Sequence, residues 1–322
     1  MSRTKIFIFL LLLAAIGAGF YYVPRSRPFE SYTQRAAEAF QLKEFEHSIE
    51  LYLKALKYYP GHPRTAEVIL TIGDIYNFSL GNSEKASKAY EMLENRFPKS
   101  PETLKAFRHA GEMDEKNEQF EKALLDYQGL VDRFPDAEGV DEARFSVAMM
   151  AVKLKKFEPA RRSLMAIVDK NPDTPVADKV LYQLGNIFFM EGSSKEAVEV
   201  LKVASEKYKD SPLLTEMQFT MANAYEEMGQ IDNAMKIYKA IRYTYPNPRV
   251  VEKKIEKLND RYKETKMFEQ RALQAAKAAN QAKGVPTTIS PESQKSIKAN
   301  FIRRKKDSAL DKSLMELMEG EP

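Results

Sequence analysis

A single interval governs this chain. Ala86, Ala123, Ala160, Ala197 and Ala234 follow one another at a spacing of 37 residues, and one step further back, at 38, stands Ser48, still a small side chain. Four residues after each comes a large apolar side chain: Tyr52, Tyr90, Tyr127, Leu164, Leu201 and Tyr238. Twelve residues after each comes a helix stop, at Pro60, Pro98, Pro135, Pro172 and Pro246, with Lys209 as the exception. Self-similarity at one period of this length marks a stacked array, in which each copy buries its apolar face against its neighbours because it cannot do so alone. A length of 322 residues then counts copies rather than domains.

Within residues 25–248 each copy holds two periodic apolar stretches joined by a short turn. Gly81, Gly192 and Gly229 mark that turn in repeats two, five and six, where a helix must stop and φ can become positive. Repeats three and four carry Glu118 and Lys155 at the same place, so their turns must close without glycine. Between repeats, Ser100-Pro101, Thr174-Pro175 and Ser211-Pro212 each set a capping hydroxyl directly before a proline suited to the first helical position. The small residue of the second helix marks a close helix crossing, and the large one four residues on fills the neighbouring groove. No stretch reads as a strand, so the expected class is all-α.

These features resemble the tetratricopeptide repeat (TPR) family, whose pattern places a small residue and then an aromatic in the first helix, Gly at the turn, a small residue in the second helix and a closing Pro. Repeat six carries it most fully, in Ala222-Asn223-Ala224-Tyr225, Gly229, Ala234, Tyr238 and Pro246; repeat four departs most, with Ala151 at the aromatic position and Leu164 in the second helix. The period exceeds the usual ~34 residues. Junctions such as Phe97-Pro98-Lys99-Ser100-Pro101 make the variant similar to repeats of the Tol-Pal coordinator and the outer-membrane barrel-assembly lipoprotein families. The resemblance implies a right-handed TPR solenoid of about six helix pairs, with an N-terminal transmembrane helix and a long C-terminal capping helix added to it. It also implies a groove lined by the first helix of each pair. Carried over residue by residue, Phe145, Tyr182 and Phe219 form an aromatic ladder, Met149, Asn186 and Asn223 the next rung, and Phe189 adds a further apolar side chain. The equivalent positions in repeats two and three, Leu70, Asp74, Arg108 and Glu112, are more mixed. Aromatics would anchor a peptide and asparagines would bond its backbone; the competing reading is that the ladder only packs the array.

Both ends of the chain depart from the pattern. Residues 1–24 contain an uncharged apolar run from Ile6 to Val23, flanked by Arg3, Lys5, Arg25 and Arg27. At about 1.5 Å per residue it just spans a hydrocarbon core of roughly 30 Å, with Tyr21 and Tyr22 where an aromatic belt would sit. It reads as a signal anchor; the alternative is a cleaved signal peptide, for which Gly17-Ala18-Gly19 supplies small residues. An anchor of this kind would place the repeats across a bacterial inner membrane, in the periplasm; cleavage would leave a soluble periplasmic protein. After the repeats, residues 249–283 keep an apolar stripe of Val250, Val251, Ile255, Leu258 and Tyr262 and read as a capping helix for the last open face. Residues 284–322 read as a flexible tail that contains one short amphipathic segment.

Composition closes off several function classes. Fifty Lys and Arg against 46 Asp and Glu leave a net charge of +4, not the one-sided basic field of a nucleic-acid binder. There is no cysteine, hence no thiolate ligand or nucleophile, and only His47, His62 and His109, in different repeats. No catalytic motif, cofactor fingerprint or metal-ligand set is present in the sequence. The expectation is a non-enzymatic, membrane-tethered scaffold that binds a protein or peptide in envelope assembly or maintenance, the alternative being a permanent subunit of a membrane complex.

Overall fold

The computed structural model describes residues 28–282, so the N-terminal apolar run and the tail lie outside the described residues. Helices are the only regular elements among them: α1 (28–41), α2 (Phe45–Tyr58), α3 (Thr65–Asp74), α4 (Ser83–Arg96), α5 (Pro101–Lys116), α6 (Phe120–Arg133), α7 (Val140–Lys153), α8 (Phe157–Lys170), α9 (Ala177–Met190), α10 (Ser194–Lys207), α11 (Leu214–Glu227), α12 (Ile231–Ile241) and α13 (Pro248–Ala282). The first twelve form six consecutive pairs. No helix among the described residues is long and apolar enough to cross a membrane. The chain divides into two compact units, one reaching Ile187 and the other beginning at Phe188, within α9.

In both units the small and large positions do what their sizes suggest. Ser48, Ala86, Ala123, Ala160, Ala197 and Ala234 are all 0% exposed, and the large residues four positions on are buried as well. Ser48 is the polar member of the set, and its hydroxyl donates to the Ala36 carbonyl at 2.7 Å, which satisfies it in the core. In repeats two and three the tyrosine leaves room only for glycine on the facing helix. A Cβ added to Gly73 would lie 2.6 Å from the Tyr90 ring, and one added to Gly111 would lie 2.7 Å from the Tyr127 ring.

The turn inside every pair carries one left-handed residue. Lys43, Gly81, Glu118, Lys155, Gly192 and Gly229 all have φ between 58° and 79°. Five of the six close alike: the left-handed residue donates to the carbonyl three residues back and its successor to the carbonyl five back, as in Glu118 N to Glu115 O at 3.0 Å and Gln119 N to Asp114 O at 2.8 Å. That arrangement satisfies the last carbonyls of the first helix. The three non-glycine turns therefore hold a conformation that side chains resist. Glu118→Gly is expected to raise stability by about 0.5–1 kcal/mol, since relief of a left-handed penalty of ~1–2 kcal/mol outweighs the added freedom of the unfolded chain. Chemical denaturation checks it, and a loss of stability would show that the Glu118 side chain contributes more than its backbone costs.

The second turn differs for a countable reason. In the other pairs the small first-helix residue and the left-handed residue are seven apart, as in Gly111 and Glu118, but Gly73 and Gly81 are eight apart. This is the residue that makes the first interval 38. It is absorbed where α3 widens into a π-helical turn at Ile75–Ser79, closed by Leu80 N to Ile75 O at 3.0 Å. The bulge leaves Phe78 63% exposed, its ring edge-on to His109 at 5.3 Å.

Helix starts divide as well. Ser100 caps α5 through its Oγ, which accepts from Thr103 N at 3.2 Å, with Pro101 at the first helical position as expected. The other two Ser/Thr-Pro pairs lie in a turn ahead of the helix, because α9 and α11 begin two residues past the proline, at Ala177 and Leu214. Those turns close with bonds three residues back, Ala177 N to Thr174 O and Leu214 N to Ser211 O, whereas Leu104 N reaches the Ser100 carbonyl four back and extends the α-helix.

In the first unit each apolar cluster is shared by consecutive helices. Phe29, Ile49, Val68 and Ile72 join α1, α2 and α3, while Phe107, Leu130 and Ala143 join α5, α6 and α7. In the second unit Ala222, Tyr238, Ile241, Val251 and Leu258 join α11, α12 and α13. The cap stripe is narrower than the sequence suggests: Val251, Ile255 and Leu258 pack inward, but Val250 and Tyr262 are exposed. Helical spacing from Val251 puts the fourth and seventh following residues on one face, and Val250 falls beside it.

Candidate peptide groove

The groove positions named from sequence lie on the first helices of pairs four, five and six. In the first unit Phe145 and Met149 stand on α7 and Tyr182 and Asn186 on α9; all four are half-buried. Met149 packs against the cluster of Ala123, Tyr127 and Met150, which gives it a core role in addition to its surface. In the second unit Phe189 is half-buried in the last turn of α9, and Phe219 and Asn223 stand on α11.

Contacts distinguish these side chains. The Phe219 ring stacks on Tyr245 at 4.6 Å and meets Tyr238 edge-on at 5.7 Å, among the residues packed on the α11–α12–α13 core. Asn223 is held from inside: its Oδ1 accepts a hydrogen bond of 2.7 Å from the Tyr238 hydroxyl. Beside it Glu226, which the sequence places with Glu227 as a carboxylate pair on a solvated helix face, is instead largely buried and binds Lys254 at 2.9 Å and Arg261 at 3.3 Å, both from α13. The cap helix thus reaches back onto the groove side of α11.

The first unit repeats the theme. Tyr90 donates to Asp74 Oδ1 at 2.9 Å, and His109 Nδ1 lies 2.8 Å from the same oxygen, which ties α3 to α5. Tyr127 donates to Glu115 Oε2 at 3.3 Å. A second-helix tyrosine therefore orients a polar residue on the first helix in repeats two, three and six. The sequence signal existed in the tyrosines themselves, since a buried phenol needs a partner for its hydroxyl.

Another polar cluster joins α5 to the second helices α4 and α6. Asp126 on α6 has its pKa pushed up to about 7, first by burial and then by Asp114 on α5 and Glu94 and Glu91 on α4, with Lys122 opposing. No group of three or more acidic or histidine side chains among the described residues is arranged to hold a metal ion.

With the pairs, turns and crossings established, the class follows. Family profiles for the tetratricopeptide repeat match residues 29–62, 67–100, 179–211 and 216–248, which are pairs one, two, five and six. This chain carries tetratricopeptide repeats, and pairs three and four keep their register. Among solved structures it is similar to a tetratricopeptide repeat protein from Parabacteroides merdae, at 17% identity and a TM-score of 0.49, over 85% of this chain and 98% of that one. It is also similar to YrrB, described as a TPR protein with an unusual peptide-binding site, at 15% identity and a TM-score of 0.49 over 64% and 97% of the two chains. A third is MamA, at 18% identity and a TM-score of 0.47 over 58% and 98%. No curated protein matches the sequence.

Proposed function

We propose that this protein is a non-enzymatic scaffold, tethered by residues 6–23 to a bacterial inner membrane, whose first helices bind an extended or helical protein segment in the periplasm during envelope assembly or maintenance. The observation that carries the binding part is the fixed amide of Asn223. With Oδ1 committed to Tyr238, Nδ2 is the donor that the side chain offers, matched to a backbone carbonyl of a bound segment. In the first unit, half-buried Phe145 and Tyr182 supply apolar anchoring for a bound segment of their own. Support for the tether is the apolar run with its basic flanks, and support for the envelope is the likeness of the repeat junctions to those of envelope families.

The test is crosslinking with mass spectrometry on intact cells carrying the full-length chain. Phe145→Ala with Tyr182→Ala is the informative double variant, because Phe219 is engaged in core packing and its truncation would report on folding. Partner crosslinks to pairs four and five are expected to fall about tenfold, the loss expected for anchors worth ~1.4 kcal/mol or more, with the melting temperature kept. Undiminished capture by a folded double variant would remove these residues from recognition and favour a permanent interface on another face.

A further inference from the structure

The start of the first repeat gathers aromatic and cationic side chains at one end. Tyr32 on α1 and Tyr58 on the last turn of α2 stack at 6.1 Å, and Tyr58 is 57% exposed although it is a large ring. Lys57 holds its ammonium 5.8 Å over the Tyr58 ring, and Lys54 is 43% exposed one turn before it. Carboxylates near this end are already engaged, Glu50 by Lys54 and Glu30 by Arg64, each at 2.7 Å. Beneath the patch the chain is held firmly: Phe29, fully buried, stacks on His62 at 3.6 Å and meets Tyr59 edge-on. The direction in which the patch faces is therefore fixed relative to the point where the described chain begins.

We propose that Tyr32, Tyr58 and Lys57 form a membrane-contact patch that rests the first repeat on phospholipid headgroups beside the N-terminal anchor. This inference rests on the tether reading above. Val23 ends the apolar run and Pro28 begins α1, so the intervening backbone spans at most about 17 Å when fully extended. That end of α1, rather than the Leu42 end about 20 Å further along the helix, is thereby held near the bilayer surface. Tyrosine suits such a place because its ring is apolar and its hydroxyl is wet, while lysine stems lie along apolar surface with their charge toward phosphate.

The absence of cysteine makes the test direct, since one introduced cysteine can carry a spin label alone. Gly61→Cys places it beside the patch, where an added Cβ meets nothing within 4 Å, and Leu42→Cys, at a position 72% exposed, places it at the far end of α1. The full chain is reconstituted into vesicles of phosphatidylethanolamine and phosphatidylglycerol, and collision with oxygen is compared with collision with a water-soluble nickel chelate. The oxygen-to-nickel ratio at Gly61→Cys is expected to be several-fold above that at Leu42→Cys. Adding Lys57→Glu and Tyr58→Ser should bring it down to the Leu42→Cys value without changing the melting temperature. A chain that fails to float with the vesicles overturns both the tether and the patch. One that floats with equal ratios at the two sites overturns the patch alone, and so does protection of the Gly61→Cys label from both reagents, which marks a protein contact instead.

Discussion

Tyr238→Ala is expected to destabilise the second unit by about 3–5 kcal/mol, the range for truncating a large buried aromatic. The side chain is fully buried between α11, α12 and α13, with Phe219 against its edge and Val251 and Leu258 in the same cluster. Its hydroxyl also bonds Asn223 and lies 3.4 Å from Glu226. Tyr238→Phe separates the two parts, for it keeps the ring and removes the bonds, at a cost of about 1–2 kcal/mol. Repeat proteins need not unfold in one step, so amide exchange across α11 to α13 is the appropriate measurement. Protection there should fall with Tyr238→Ala; a change below about 1 kcal/mol would mean that α12 and α13 repack without the ring.

Asp126→Asn is expected to stabilise the first unit at neutral and higher pH and to leave it unchanged in acid. The native carboxyl titrates near 7, because burial and the carboxylates of Asp114, Glu94 and Glu91 disfavour its charge. Lys122 faces it, but that ammonium is bonded to Gln119 at 2.6 Å, and Arg133 on the same helix lies 3.9 Å from Glu94. Burial raises Asp114 and Glu94 in the same direction. In the unfolded chain an aspartate ionises near pH ~4, so between roughly 4 and 7 the native state holds a proton that the unfolded state has lost. Stability therefore falls as pH rises through that window and is flat above it. The asparagine variant removes the fall, with a gain on the order of 2 kcal/mol at about pH 8. Denaturant titrations of both proteins across the window check the sign; a gain equal at acid and alkaline pH would assign the effect to packing rather than ionisation.

The groove illustrates how far a sequence reading reaches. Its positions fall on first helices as expected, and Phe145, Tyr182 and Phe219 share one register because the period fixes where each helix turn repeats. Their roles do not share a register. Phe219 stacks on Tyr245 from the following junction, and Asn223 is claimed by Tyr238 fifteen residues later. Glu226 is tied to Lys254 and Arg261, 28 and 35 residues away. None of these partners is implied by the spacing that found the positions.

The sequence by itself determined the all-helical class, the six pairs, the buried small and large positions and the glycine turns, whereas the left-handed conformation of Lys43, Glu118 and Lys155 came from the structure. Those features are local: helix period, side-chain size and helix stops act within one copy, so repetition makes them legible. Only the tertiary structure decided how the extra residue of repeat two is absorbed, which polar groove residues are already bonded, and that carboxylates from α4 and α5 converge on Asp126. Each depends on side chains brought together across helix contacts, where packing geometry and the scarcity of counter-charges choose among partners that periodicity leaves equivalent.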